Sequence, residues 1–285
     1  MPKTALCIGI NDYPGTSSDL HGCVNDANDW AKELRARGFT VQKLLNKSAT
    51  GAAMRQGIKA LLKTAKSGDC VVITYSGHGS FVPDKNGDEA DGTDECLCPY
   101  DTRRKGVITD DELFTLLSDR ERGVRLLMIS DSCHSGSVIR FNPIVTPATA
   151  KGRGAPQRKV RFLPPGAYLS KQKLAGLGAR GPMRTASPPG RHAALLLAGC
   201  QDTEYSYDAY FGGRPNGAFT YVALSTLRKL PKSATYRDWF KAIKKVLPSQ
   251  QYPQTPALFG SSSMKVWIVF GERSGLRYAG AAHQR

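Results

Sequence analysis

No run of apolar residues in this 285-residue chain approaches the roughly 20 needed to cross a bilayer, which excludes a membrane-spanning helix. A secretory leader is not expected either. The first apolar run, Ala5 to Ile10, is short and gives way to Asn11-Asp12. The seven cysteines are odd in number and follow no framework spacing, which argues against a disulfide-stapled fold. Cys96 and Cys98 are too close for the usual CxxC metal or redox pair, and Cys7, Cys70 and Cys200 lie in or beside apolar runs as small core residues would. Free thiols in such numbers point to a reducing, cytoplasmic compartment.

A second absence is acid. Between residues 141 and 191 there is no Asp or Glu, against ten Lys or Arg and eight of the 17 prolines. The whole chain carries a formal +16, so the remainder holds only about +6. No helical or strand period survives in this stretch, which reads as an exposed basic linker. It could be a solvated mobile loop, a loop that is cut, or a nucleic-acid-binding arm. Its only aromatics are Phe141, Phe162 and Tyr168, too few to stack on bases, so no nucleic-acid partner is expected.

What is present is an alternation of short apolar runs and helical periods. Strands are expected at Thr4–Ile10, Phe39–Leu45, Val71–Tyr75, Val124–Ser130, Ala193–Ala198 and Lys265–Phe270. Helices are expected over Asp26–Arg37, Gly51–Ala65, Ala218–Leu230 and Tyr236–Leu247, and from Thr109, where Glu112 three residues on makes a capping-box pattern. Strand and helix alternate throughout. The fold class is therefore α/β, a mostly parallel central sheet with helices on both faces.

Two of the strands end at reactive turns. Tyr75-Ser76-Gly77-His78-Gly79 closes one, and Asp131-Ser132-Cys133-His134-Ser135-Gly136 closes another. Active sites of open α/β sheets lie at the carboxyl ends of the strands. A histidine and a cysteine on two such ends can pair, with the histidine taking the thiol proton and returning it to a leaving amine. The bland readings are a buried structural cysteine and a loop histidine. The polar and small neighbours of Cys133 argue for exposure. His134 is a competing base, but adjacent side chains usually point apart, which favours His78.

Cys133 follows His78 by 55 residues, and caspases carry their histidine about 50 residues before the cysteine. The caspase Gln-Ala-Cys signature is absent. The two turns instead resemble those of metacaspases and their bacterial relatives, the orthocaspases, within the C14 family of clan CD. The resemblance extends to Gly22-Cys23-Val24-Asn25-Asp26-Ala27, Asp94-Glu95-Cys96-Leu97-Cys98-Pro99, Thr109-Asp110-Asp111-Glu112-Leu113, Ala198-Gly199-Cys200-Gln201-Asp202 and Gly217-Ala218-Phe219-Thr220. It covers residues 3 to about 140 and 192 to 271.

The resemblance implies a caspase-hemoglobinase fold with a large segment (1–140), the basic linker or processing loop (141–191), a small segment completing the same sheet (192–271) and a tail (272–285). It implies a cysteine endopeptidase acting on protein or peptide substrates, with the N–H groups of Gly79 and Cys133 as the oxyanion hole. It also implies that Asp26 and Asp131, with Cys23 and Ser76, line the pocket for the residue before the scissile bond. Two carboxylates there favour Arg or Lys. Asp26 has a second reading as a helix-start acid. An enzyme of that preference would be able to cut its own basic loop.

The acidic cluster from Asp84 is not an EF-hand, because position six is Glu89 rather than Gly. In metacaspases calcium is held by a different set, to which Asp94, Asp110 and Asp111 correspond. Arg140 stands where the fourth carboxylate is expected, so calcium is expected to matter little unless Asp91 or Glu95 substitutes. The Pro-rich amino-terminal extension of some metacaspases is absent, and a monomer is expected. Two other readings stay open: a non-catalytic caspase-like scaffold or regulator, and a peptidase of the clostripain or legumain type.

Overall fold

The computed structural model describes residues 1–84, 92–133, 158–175, 193–201 and 204–271. Its centre is a six-stranded sheet. In chain order the strands and helices of the first half are β1 (Lys3–Gly9), α1 (Cys23–Ala36), β2 (Thr40–Leu45), α2 (Gly51–Thr64), β3 (Cys70–Ser76), β4 (Gly79–Pro83), β5 (Thr93–Leu97), α3 (Thr102–Lys105), β6 (Ile108–Thr109), α4 (Asp110–Ser118) and β7 (Arg125–Asp131). The second half adds β8 (Lys159–Val160), α5 (Lys171–Ala175), β9 (Leu195–Ala198), β10 (Tyr207–Phe211), β11 (Arg214–Gly217), α6 (Ala218–Leu227), α7 (Tyr236–Lys244), β12 (Ala257–Phe259) and α8 (Ser262–Lys265).

The sheet order is β12-β9-β7-β3-β1-β2, parallel except for β12. The middle strands β3 and β7 are buried along their whole length, as their unbroken apolar runs require of a sheet covered on both faces. On one face α1, α6 and α7 pack, with Trp30 and Trp239 edge to face at 6.0 Å. On the other, α2 and α4 bring Met54, Ile58, Leu62, Leu116 and Leu117 against Leu6, Ile8, Ile73 and Met128. Two small antiparallel sheets, β4-β5-β6 and β11-β10-β8, flank the carboxyl ends of the main strands.

Several boundaries differ from expectation for physical reasons. Helix α1 begins at Cys23, three residues early, because the Asn11 side chain accepts from the amides of Cys23 and Val24. That cap comes from the far end of another element and leaves no local signal. Thr109 caps α4 by accepting from the Glu112 amide, but the Glu112 carboxylate pairs with Arg55 instead of closing a capping box. The strand expected at Lys265–Phe270 is not one. Ser261 caps α8 there, and the rest docks on the start of α7 through a single bridge, Thr235 to Ile268. The antiparallel strand is Ala257–Phe259 instead.

The basic stretch also departs from expectation. Residues 141–157 and 176–191 lie outside the described residues, but 158–175 form built structure: β8, a 3₁₀ turn at Pro165–Ala167 and α5. Arg161, Leu163 and Pro165 are buried.

Candidate active site

Strand register brings the site together. Gly9 pairs with Ser76 and Ser76 with Asp131, so β1, β3 and β7 end level with one another. The reactive turns follow immediately. Asp26 reaches the same edge from the first turn of α1, and its Oδ2 accepts from Ser76 Oγ at 2.7 Å.

The side chain at the middle of this edge is Arg161. Its guanidinium is fully buried, with Nη2 2.6 Å from Asp26 Oδ2 and 2.9 Å from Asp208 Oδ1. Nη1 is 3.1 Å from Asp131 Oδ2 and donates to Ser76 Oγ at 2.8 Å. Three buried carboxylates thus surround one cation. Burial of such charges is tolerated only when each is paired and hydrogen-bonded, and each carboxylate here is. Asp26 Oδ1 accepts from Asn216 Nδ2 and from the Gly217 amide. Asp131 accepts from Ser206 Oγ and from the amide and hydroxyl of Thr220. Asp208 accepts from the amides of His21 and Gly22. Gly217 must be glycine, because a Cβ would collide with Asp131 Oδ2 and the Arg161 guanidinium. With one cation shared among three acids, Arg161 is held firmly charged. Burial pushes Asp26 up to about 6, the Arg161 charge opposing the shift and the Asp131 charge adding to it.

The Arg161 backbone is placed with equal care. Its carbonyl accepts from the amides of Gly79 at 3.0 Å and Cys133 at 3.2 Å. These two N–H groups are the pair expected to face an oxyanion, and the carbonyl they hold belongs to the chain's own residue 161. The segment before it, β8, pairs antiparallel with β10 (Val160 with Tyr207, Lys159 with Asp208). The segment after it bridges to Gly79, and the Leu163 amide donates to the Gly79 carbonyl at 3.0 Å.

Cys133 is buried, contrary to the exposure its polar neighbours suggested. Its Sγ accepts from the Ser206 amide at 2.7 Å and lies 3.5 Å from the Ser206 carbonyl. Among the described hydrogen bonds none joins it to His78. The His78 ring is buried as well; one nitrogen meets the Ser18 carbonyl at 2.5 Å, and the backbone amide donates to Tyr13 Oη. Burial pushes His78 down to about 4, against the raising effect of the Ser18 and Arg161 carbonyls. The imidazole is therefore neutral at pH 7 and able to accept a proton. Cys23 sits at the pocket wall with its thiol pushed up by burial. His134 and Asp202 lie outside the described residues.

The other acidic set lies at the small β4-β5-β6 sheet, where β5 pairs with β6 through Cys96 and Thr109. Asp94 is on β5, and Asp110 and Asp111 open α4 beyond β6. Among the described residues no three His, Cys, Asp or Glu side chains converge as metal ligands would. Asp91 and Arg140 are outside them.

Sequence reasoning missed Asp208 and Ser206, gave Thr220 no role, and left Arg161 as one of ten basic residues at which the loop could be cut. The Gly217-Ala218-Phe219-Thr220 motif was visible, and its work is now clear: its amides and hydroxyl hold two pocket carboxylates. Asp208 lies in a short strand, Tyr207–Phe211, with no period or partner to mark it. Among the described residues no helix is long and apolar enough to cross a membrane.

Comparison with known proteins agrees with this arrangement. A family model described as the caspase domain matches residues 2–266. Metacaspase-1 of Mycosarcoma maydis is 30% identical over 94% of this chain and 72% of its own length. Metacaspase-7 of Arabidopsis thaliana is 42% identical over 49% of this chain and 36% of its own length. Among solved structures, protein GSU0716 of Geobacter sulfurreducens superposes with a TM-score of 0.71 at 30% identity, covering 95% of this chain and 99% of that one. Caspase-1 of Spodoptera frugiperda, at 13% identity and a TM-score of 0.57 over 96% of this chain and 91% of its own, shares the fold. A caspase-type sheet, with cysteine and histidine turns at its carboxyl edge and whole-chain similarity to metacaspases, makes this chain a member of the metacaspase group of caspase-domain cysteine peptidases, whose substrates are proteins.

Proposed function

We propose that this protein is a cysteine endopeptidase that cuts after basic residues, Arg above all, with Cys133 as nucleophile and His78 as base, and that its own Arg161–Phe162 bond is a substrate. One observation carries the reading. Arg161 offers its side chain to three carboxylates while its carbonyl accepts from the two amides beside the nucleophile and the histidine. A substrate residue before a scissile bond needs both contacts at once.

The chemistry follows from these positions. Neutral His78 takes the Cys133 proton. Sulfur attacks the Arg161 carbonyl carbon, and the oxygen, gaining negative charge, stays on the Gly79 and Cys133 amides. The carbon–nitrogen bond to Phe162 breaks as the histidine returns the proton to the departing amine. Water then hydrolyses the thioester, leaving the Arg161 carboxylate and the free thiol. Removing one oxyanion donor typically costs about 10²–10³ in rate, so the two-amide arrangement is a large part of the acceleration.

Arg fits better than Lys. The guanidinium presents separate nitrogens to Asp26 with Asp208 and to Asp131 with Ser76, and a single ammonium has no such planar fork. The test is hydrolysis of peptides ending in Arg, Lys, Asn or Asp before a fluorogenic group, by wild type and by Cys133→Ala. Turnover of the Arg peptide lost in the variant supports the reading. Preference for Asn or Asp, or activity retained without the thiol, contradicts it.

A further inference from the structure

Downstream of Arg161 the chain lies in a site of its own. Phe162 stacks on Phe81 with centroids 6.0 Å apart and planes at 19°, and tilts against Tyr205 at 6.3 Å. Leu163 is fully buried in the core cluster beneath β4, and its carbonyl accepts from Ser80 Oγ at 2.6 Å. A turn at Pro165–Ala167 then brings Tyr168 back, where its hydroxyl donates to Ser80 Oγ at 2.8 Å or the Phe81 carbonyl at 2.9 Å.

The upstream arm is held by contacts nearer the surface: Lys159 Nζ donates to the Asp19 carbonyl, and Arg158 donates to the Gln251 carbonyl and lies over the Tyr207 ring. It is a two-residue strand whose side chains, Lys159 and Val160, are only half buried, preceded by exposed Arg158. The downstream arm combines strand-like main-chain bonds, which any peptide makes, with an aromatic platform and a leucine-sized hole, which few sequences satisfy. It also remains covalently continuous with β9.

We propose that the β4 side of the cleft is a binding site for the residues that follow a scissile bond, selective for an aromatic residue and then leucine, and that Phe162–Tyr168 stays in it after the Arg161–Phe162 bond is cut. The inference rests on the endopeptidase reading above and adds a second stage to it. Scission frees Arg161 and the acidic pocket, while the leaving side of the cleft stays filled by the new amino terminus. A long polypeptide substrate then has to displace Phe162–Tyr168; a substrate with nothing beyond the scissile bond does not.

Two fluorogenic substrates with the sequence Arg158 to Arg161 separate these cases. One ends in aminocoumarin directly after Arg; the other continues for four residues between a donor and a quencher. The enzymes are cut wild type, Phe162→Ala and Tyr168→Phe, the last removing only a hydroxyl so that packing is kept, with thermal melting to check the fold. Expected is a KM for the long substrate lower in each variant by at least about fivefold, the scale of one aromatic pair or one net hydrogen bond. KM for the coumarin substrate stays the same in all three. A synthetic Phe-Leu-Pro-Pro-Gly-Ala-Tyr peptide should inhibit long-substrate hydrolysis more strongly in the variants than in wild type. Equal KM for the long substrate in all three enzymes, with coumarin hydrolysis intact, overturns this inference alone. Loss of coumarin hydrolysis in every enzyme overturns the endopeptidase reading and takes this inference with it.

Discussion

Two acidic constellations stand at the carboxyl side of the sheet, and one of them is built around a cation of the chain itself. Asp26, Asp131 and Asp208 close on a single guanidinium with every carboxylate hydrogen-bonded. Asp94, Asp110 and Asp111, equally acidic in sequence, form no three-ligand metal cluster among the described residues. The difference is one of support. Asp131 and its neighbour Ser76 are fixed by parallel register, Asp26 by a helix start clamped at Asn11, and Asp208 by a strand paired across the cleft. The second set sits on a small hairpin sheet and a helix start. Acidic residues make a site when rigid elements aim them at one point, not when they are merely numerous.

The comparison breaks most completely at Asp131. Asp131→Ala strips a carboxylate from the guanidinium and leaves the Thr220 and Ser206 donors unpaired. Removing one partner of a buried pair costs about 3–5 kcal/mol, so both Arg-peptide turnover and thermal stability should fall. Asp26→Ala should behave alike. The pocket acids are thus structural as well as selective, which their sequence role as specificity residues did not suggest. A variant inactive on Arg peptides yet melting like wild type would contradict this double role.

Asp208→Asn is the finer cut. It keeps shape and most hydrogen bonds but removes one charge-assisted contact, worth about 1.5–3 kcal/mol. Arg-peptide kcat/KM should drop by roughly ten- to a hundredfold, with Lys peptides affected less. Equal loss on Arg and Lys would show that Asp208 does not read the fork.

The pH profile sharpens the comparison further. Asp26 is raised to about 6, by burial above all, with the Arg161 charge opposing the shift. As pH falls through 6, Asp26 takes up a proton and the pocket loses its hold on Arg. His78, held down to about 4, stays neutral through this range. The acid limb of kcat/KM for Arg peptides should therefore lie near pH 6 and move in Asp26→Asn. A limb near 4 in both proteins would assign it to the histidine instead.

How far these sites were legible depends on the range of the contacts that make them. The α/β sheet was readable because β3 and β7 are long apolar runs, and the Cys133 and His78 turns because strands of that kind end at reactive loops. Asp26 and Asp131 could be paired by resemblance. The contribution of Asp208 could not, since it is made across 47 residues to Arg161 and 187 to His21. Arg161 was hidden for a simpler reason. One arginine among ten basic residues in an aperiodic stretch carries no mark of being the buried one. Cys133 read as exposed because its neighbours are polar, yet it is buried with its amide on the Arg161 carbonyl and its sulfur on Ser206, contacts no local pattern encodes.

The smallest expected effect belongs to the other constellation. Since Arg140 stands where the fourth carboxylate is expected, a calcium chelator should leave most Arg-peptide activity in place, and millimolar calcium should stimulate at most modestly. Arg140→Asp should raise whatever calcium response exists. Enzyme dead in chelator and restored by micromolar calcium would show that a site is completed by residues beyond those described.

The central claim is that Arg161 lies in the cleft as a substrate. Intact mass of purified wild type and Cys133→Ala after prolonged incubation tests it most directly. The account predicts two fragments from wild type, one ending at Arg161 and one beginning at Phe162, and a single uncut mass from the variant. Uncut wild type, or a cut elsewhere with the Arg161–Phe162 bond intact, would contradict it.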